Sequence, residues 1–329
     1  MGQVGIFAPG GYCLKSQFLD TEELALALRH TNVRAMQVSR GRYQASLAYV
    51  PVGGWSLQYL SFEQGVSVCA GDAPRDRYAM LVPLEISPQC RLLGQPLTPR
   101  SLGLYSPGSE HADMMVAGSS AVVIVAPVEV RSGSDDGVFA LARQGSQLHV
   151  APRMVLDRLR DLLCRIPRAL QELGHPWECA EVRRGLADAL LCGVTEVSST
   201  EAGGLQAGAR LGRPRLPRRE ILRRISELLE HETDKPLYVG ELAAAVGISQ
   251  PSLQRVFHEW FGMPPARYLA LRRLHLARRR LRQGDGETVT AIASSLGFWD
   301  QSRFSKRYRG VFGELPSETL RRSGRPLSA

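Results

Sequence analysis

Two stretches near the C-terminus repeat one short pattern, and the repeat limits what the last third of the chain can fold into. The first reads Leu242-Ala243-Ala244-Ala245-Val246-Gly247-Ile248-Ser249-Gln250-Pro251-Ser252-Leu253-Gln254-Arg255-Val256-Phe257. The second reads Ile292-Ala293-Ser294-Ser295-Leu296-Gly297-Phe298-Trp299-Asp300-Gln301-Ser302-Arg303-Phe304-Ser305-Lys306-Arg307-Tyr308. In each, a short apolar helix leads into a glycine, whose backbone freedom suits a tight reversal. A second helix follows, apolar on one face and polar on the other. Helix, turn, helix is the order of the helix-turn-helix motif.

The second helix of the first copy carries Leu253, Val256, Phe257 and Trp260/Phe261. These fall at i, i+3, i+4 and i+7/i+8, a single apolar stripe. Gln250, Ser252, Gln254, Arg255, His258 and Glu259 are left outside it. In the second copy Phe304, Tyr308, Val311 and Phe312 take the core side, and Gln301, Ser302, Arg303, Ser305, Lys306, Arg307 and Arg309 face out. Gln and Arg are the side chains that bond base edges bidentately, Gln to adenine and Arg to guanine. Between the copies, residues 266–283 predict one continuous helix that stops before Gly284-Asp285-Gly286. It is about 27 Å long at 1.5 Å per residue. That length suits two reading units in successive major grooves, roughly 34 Å apart. Arg272, Arg273, Arg278, Arg279, Arg280 and Arg282 lie on it. Phosphate contact is the role expected of some of them, Arg278 in particular.

Charge points the same way. The chain of 329 residues has a net charge of +9. From residue 210 onward there are 23 Lys and Arg against 12 Asp and Glu; the preceding residues hold 18 against 20. The excess therefore sits with the duplicated motif, which argues for a polyphosphate partner. Residues 198–217 are rich in Gly, Ser, Pro and Arg and offer nothing to a core. They read as a flexible linker between residues 1–197 and residues 218–329.

The N-terminal part has a different grammar. Asp20-Thr21-Glu22-Glu23-Leu24 looks like a capped helix start, with the helix over 21–30 and a loose arm before it. Short Val-, Tyr-, Leu- and Ser-rich runs follow at 35–39, 43–50, 55–61, 66–70, 78–85, 89–93, 101–106, 113–117 and 121–130. Gly, Pro and Asp separate them, so a β-sandwich or barrel is expected. After Gln147 the apolar period becomes helical, with one helix over roughly 154–166 and another over 178–192. The fold class is thus α+β in two domains: a β-barrel or sandwich plus helices, then an all-α domain of two helix-turn-helix motifs joined by a long helix. Residues 152–192 are the expected dimer contact.

Cys13, Cys69, Cys90, Cys164, Cys179 and Cys192 show no CxxC pair and no zinc-ligand spacing. They read as reduced, mostly buried thiols of a cytoplasmic protein. The sequence has no signal-peptide pattern and no apolar run of the ~20 residues a bilayer span needs. No nucleophile–base pair stands out, so an enzyme is not expected, nor is a metal or cofactor.

Residues 218–322 closely resemble the AraC/XylS family of transcription regulators. The resemblance rests on Leu242–Ser249, Leu253–Phe257, Phe261-Gly262-Met263-Pro264-Pro265-Ala266-Arg267-Tyr268-Leu269, Arg272–Arg280, Ile292-Ala293, Leu296-Gly297-Phe298, Phe304-Ser305, Phe312-Gly313 and Pro316. It covers about a third of the chain. It implies base reading from Gln250, Pro251, Gln254 and Arg255, and from Asp300, Gln301, Arg303, Ser305 and Lys306. It also implies activation through RNA polymerase at promoter DNA. Two departures stand out. Pro251 replaces a contact-capable side chain, and Ser317-Glu318-Thr319-Leu320 lacks the family's aromatic.

The strand-rich part is more loosely similar to the cupin-type sensor domains of such regulators. Gly103 to His111 is similar to the second cupin motif, whereas the first motif's His-x-His and Glu are absent. The resemblance implies a small-molecule effector, with Trp55, Tyr59, Tyr78, Glu85, Tyr105 and His111 as pocket candidates, or core fillers in the case of the aromatics. Control by a partner protein instead of a small ligand is the alternative.

Overall fold

A computed structural model describes residues 13–128, 145–172, 179–199, 218–231 and 236–323. The chain opens with strand β1 (Cys13–Phe18) and helix α1 (Thr21–Ala27). The Asp20 carboxylate caps α1 by accepting from the backbone N–H of Glu22 at 2.7 Å and of Glu23 at 3.3 Å, which satisfies donors a helix start leaves free. The strands β2 (Asn32–Gln37), β3 (Gln44–Val52), β4 (Trp55–Gln64), β5 (Val66–Asp72), β6 (Arg77–Glu85), β7 (Arg91–Leu92), β8 (Gln95–Pro96), β9 (Ser101–Tyr105), β10 (Glu110–Val116), β11 (Ser119–Pro127) and β12 (Gln147–Val150) follow.

They form two open antiparallel sheets. One has the order β1-β3-β4-β11-β6-β9-β12, the other β2-β5-β10-β7-β8. The arrangement is that of a sandwich, not a closed barrel.

Two helices, α2 (Arg153–Glu172) and α3 (Ala180–Ser199), cover the outer face of the larger sheet. The period-2 alternation of a strand sends neighbouring residues to opposite faces, and both faces here are apolar. Ala79, Leu81, Ala121 and Val125 fill the space between the sheets. Met80, Val82, Val122 and Ile124 point the other way, against Leu156, Leu159, Leu163, Leu190 and Val194 of the helix pair.

The outer face of the smaller sheet has a different cover. Met36, Val38, Val68 and Ala112 join one continuous core with the C-terminal helices. These are α4 (Arg218–His231), α5 (Val239–Val246), α6 (Gln250–Phe261), α7 (Pro265–Gln283), α8 (Val289–Ser295), α9 (Gln301–Phe312) and α10 (Pro316–Ser323). The layers run helix pair, large sheet, small sheet, helical C-terminal part.

β1 lies in the stretch expected to be a loose arm. It is an edge strand, pairing with β3 from Cys13↔Tyr49 to Phe18↔Ala45. β12, in a stretch expected to turn helical, closes the opposite edge by pairing with β9. An edge strand is paired on one side only, so its sequence signature is weak. Most of the expected linker, residues 200–217, lies outside the described residues, as do residues 129–130 of the last expected strand. Of the thiols expected to be mostly buried, Cys164, Cys179 and Cys192 are exposed. Among the described residues, no helix is long and apolar enough to cross a membrane, and no cluster of three or more His, Cys, Asp or Glu could hold a metal ion.

Candidate nucleic-acid interface

The two motifs are built alike. Gly247 and Gly297 take left-handed φ values of 78° and 77°, a region that costs glycine little and other residues more. Just past them, the backbone N–H of Ile248 donates to the Ala243 carbonyl at 3.0 Å, and that of Phe298 to the Ala293 carbonyl at 2.9 Å. Each second helix then receives a side-chain cap. Ser249 accepts from the N–H of Ser252 at 3.4 Å, and Asp300 from the N–H of Arg303 at 2.9 Å.

The apolar stripes are inside: Leu253, Phe257, Phe304 and Tyr308 are almost wholly buried. Tyr308 hydroxyl and Thr319 Oγ1 lie 2.8 Å apart in a hydrogen bond, and Thr319 Oγ1 is 2.8 Å from a Glu314 carboxylate oxygen. Thr319 belongs to the stretch that lacks the family's aromatic, so a polar link stands there.

Opposite the stripes, Gln250, Gln254 and Arg255 are exposed on α6, and Arg303 and Lys306 on α9. Ser252, Gln301 and Ser305 are half-buried. Ser252 accepts from Ser249 at 3.0 Å and from Arg255 at 3.4 Å. Pro251 occupies the first turn of α6, where a missing N–H costs nothing. Among the described residues, Arg255, Arg303, Lys306, Arg307 and Arg309 form no ion pair.

The arginines of α7 behave differently: they are engaged within the chain. Arg278 does not stand free for phosphate. It is nearly buried, pairs with Asp20, lies 3.6 Å from Glu314 and stacks over the Phe312 ring at 4.5 Å. The others are occupied too. Arg279 meets Glu22 at 3.1 Å; Arg282 meets Asp20 at 3.3 Å and Glu23 at 3.5 Å. Arg280 meets Glu287 at 2.5 Å. Arg272 donates to the Leu229 carbonyl at 2.7 Å, and Arg273 lies over the rings of Phe298 and Tyr238. Helix α1, with its acidic first turn, thus docks on the connecting helix.

Uncharged bonds reinforce that seam. Gln37 Nε2 donates to the Val311 carbonyl at 2.9 Å, and the Gly41 N–H to the Gly310 carbonyl at 3.1 Å. Buried His275 bonds the Gln37 carbonyl through Nε2 at 3.0 Å. Burial drives its pKa down to about 4, against the opposing pull of that carbonyl and of Asp20. At neutral pH the imidazole is therefore uncharged and donates through Nε2–H. Burial pushes the Asp20 carboxyl upward, but Arg278, Arg282 and the Glu22 N–H together hold it below its ordinary value.

The six residues expected to line an effector pocket do not share one cavity. Trp55, Tyr59 and Tyr78 pack in the core beneath α2 and α3, where Tyr59 hydroxyl donates to the Leu163 carbonyl at 2.8 Å. Tyr105 lies between the sheets. Its hydroxyl donates to Asp113 at 2.9 Å, and His111 Nδ1 is 3.0 Å from the same carboxylate oxygen. Glu85 is exposed and accepts from Ser120 at 3.2 Å. Alternation along each strand divides them between two cores. Two hollows lie along the seam instead. One is flanked by Arg34, Met36 and Val68 on the sheet side and by Leu229, Tyr268 and Arg272 on the helical side. A second lies between Arg91 and Met114 on the sheet side and Phe261 and Arg267 opposite.

Residues 242–322 match a family described as "Helix-turn-helix domain". A "Probable thc operon regulatory protein" of Rhodococcus erythropolis is 39% identical over 115 residues, 34% of this chain and 35% of its own length. "XylDLEGF operon transcriptional activator 1" of Pseudomonas putida is 35% identical over 101 residues, 30% of each chain. The chain thus spans about a third of the length of the curated relatives it matches. A crystal structure of "a probable AraC family transcriptional regulator" from Rhodopseudomonas palustris is 36% identical, with a TM-score of 0.29, covering 32% of this chain and 98% of that one.

Proposed function

The C-terminal segment is a double helix-turn-helix domain of the AraC/XylS kind, and from that premise we propose that the whole chain is a sequence-specific, double-stranded-DNA-binding transcription regulator that activates its promoter. The observation that carries this reading is the outer face of the two second helices. Gln250, Gln254 and Arg255 on α6 and Arg303 and Lys306 on α9 are exposed, beside apolar stripes that are fully packed. Gln254 would read adenine and Arg255 guanine, each through a pair of hydrogen bonds in the major groove. Ser252, Gln301 and Ser305 would contribute shorter contacts from the same faces. The 19 residues of α7 span about 28 Å, close to the roughly 34 Å between successive major grooves.

The N-terminal part, residues 1–197, would carry the control and a homodimer contact through residues 152–192. Residues 198–217 would tether it to residues 218–329. In this reading the protein works in the cytoplasm and engages RNA polymerase. The seam supports control by a small molecule, because hollows lie where both parts contribute walls. A ligand there acts only by favouring one arrangement of the two parts over another.

Selection of duplexes from a random library by the full chain tests the DNA reading. Enrichment of a motif with two half-sites about one helical turn apart is expected. No enrichment, or binding equally tight to scrambled duplexes, sinks it. A thermal-shift panel of small metabolites tests the control. Stabilisation by one class supports a sensor, and none across the panel supports a protein partner.

A further inference from the structure

The two motifs differ by one residue at the turn, and that residue is an exposed tryptophan. Ile248 and Phe298 hold equivalent places, each bonded back to the first helix just past a left-handed glycine. In the first motif Ser249 follows at once and caps α6. In the second, Trp299 stands between Phe298 and the capping Asp300. Phe298 is buried, whereas Trp299 is 82% exposed.

An indole is large and apolar and usually finds cover; among the described residues, Trp299 is left in water. It lines a shallow hollow with Arg303 and Arg307, neither of which forms an ion pair among the described residues. Asp300 lines the same hollow, with its carboxylate engaged in capping α9; an apolar ring with two guanidiniums against one carboxylate still disfavours a basic partner and suits a polyanion. The indole N–H is a donor with no acceptor to offer, which suits a partner rich in acceptor oxygens. Arg303 belongs both to this hollow and to the reading face.

We propose that Trp299 is a positioning residue that clamps the groove edge. Its ring packs against a deoxyribose, its Nε1–H donates to a phosphate oxygen, and Arg307 neutralises the neighbouring phosphate. Contacts to sugar and phosphate set register and carry no base information. The extra turn residue thus fixes how the second motif sits without choosing a base. The inference rests on the DNA-reading assignment and deepens it.

The test uses the full chain and a duplex selected with the wild-type protein, at fixed salt. Trp299→Ala is expected to weaken binding about tenfold, the worth of one hydrogen bond and its apolar contact. The loss is expected on selected and scrambled duplexes alike, with base preferences and thermal midpoint unchanged. Trp299→Phe keeps a ring and loses the N–H, so an intermediate loss is expected. The emission difference between wild type and Trp299→Ala is expected to change when duplex is added. Equal affinity of wild type and Trp299→Ala, with that emission insensitive to duplex, overturns the clamp and leaves the DNA reading standing. A lowered thermal midpoint, a loss confined to one base position, or unchanged duplex affinity with lost binding to RNA polymerase also overturns it. A wild-type chain that enriches no duplex brings down the DNA reading itself.

Discussion

Helices α7 and α9 carry the same kind of charge and put it to opposite use. On α7, Arg278, Arg279, Arg280 and Arg282 all meet carboxylates, three of them on or capping α1. On α9, Arg303, Lys306, Arg307 and Arg309 are exposed and unpaired among the described residues. Surroundings make the difference: Arg278, Arg280 and Arg282 are partly buried, and Arg279, though exposed, lies beside Glu22. A guanidinium at a packed seam must be partnered, because an isolated buried charge is costly. The cations of α9 project from a face that no element covers among the described residues, where water satisfies them. The count of basic residues therefore overstates the charge available to a polyanion, and its location on α9 and α6 matters more than its sum.

The largest test of this contrast falls on Asp20, which is 3% exposed. Asp20→Asn keeps the α1 cap, since Asn and Asp cap equally well. It removes the charge that faces Arg278 and Arg282. Breaking one side of a buried pair costs about 3 kcal/mol; the value sits at the lower end because Glu314 still lies near Arg278. A urea titration that shows no loss would mean the seam is held by its apolar contacts alone.

Next in size is Arg255→Ala on the reading face of α6. Affinity for the selected duplex is expected to fall by about 2 kcal/mol, with relaxed preference at one base position. Thermal stability should not move, because Arg255 is exposed and its side-chain hydrogen bond to Ser252 is long at 3.4 Å. Uniform weakening on every sequence would reassign Arg255 to phosphate.

A smaller effect is expected from His275, which is neutral at the seam and faces Asp20, Arg278 and Arg279. Its pKa is lower folded than unfolded, so the unfolded chain takes up the proton first as pH falls. The stability linked to it is present above its ordinary value near 6.5 and drains away towards about 4. Between pH 7 and pH 5.5 the loss is about 1 kcal/mol relative to His275→Gln, which keeps a donor but does not titrate. Subtracting the variant cancels the carboxylates of the seam, including Glu22, whose pKa burial raises despite Arg279. Parallel pH profiles for the two proteins would show that the imidazole is not held neutral.

What the sequence disclosed follows from the range of the forces involved. The motif pair was legible because its stripes, capping residues and turn glycines are local, and α6 and α9 occur where the spacing puts them. The sandwich strands were legible from alternation, except β1, β12 and β8 at the edges, the last of which (Gln95–Pro96) reads as a turn in sequence. The docking of α1 on α7 was not, because Asp20 and Arg278 are brought together by the apolar outer face of the small sheet. Nothing local distinguishes Arg278 from Arg307. The pocket candidates are dispersed for a related reason: Tyr59 and Tyr105 are similar residues on similar strands, and only the pairing shows that they enter different cores.

The smallest effect discriminates most sharply between the two helices. Lys306 is exposed on α9, so Lys306→Ala should remove one phosphate contact or its equivalent. The slope of log affinity against log salt should then fall in magnitude by about 1, with a loss of under about 1 kcal/mol at moderate salt. Arg278→Ala deletes the same unit of charge from the same domain. Because Arg278 already neutralises Asp20 in the packed chain, its removal should leave the slope unchanged at temperatures where the protein stays folded. Net charge alone predicts equal slopes for the two variants, and the seam predicts a difference of about one counterion. Equal slopes would mean that α1 leaves α7 when DNA binds, releasing Arg278 to phosphate and placing the docked arrangement in the DNA-free state only.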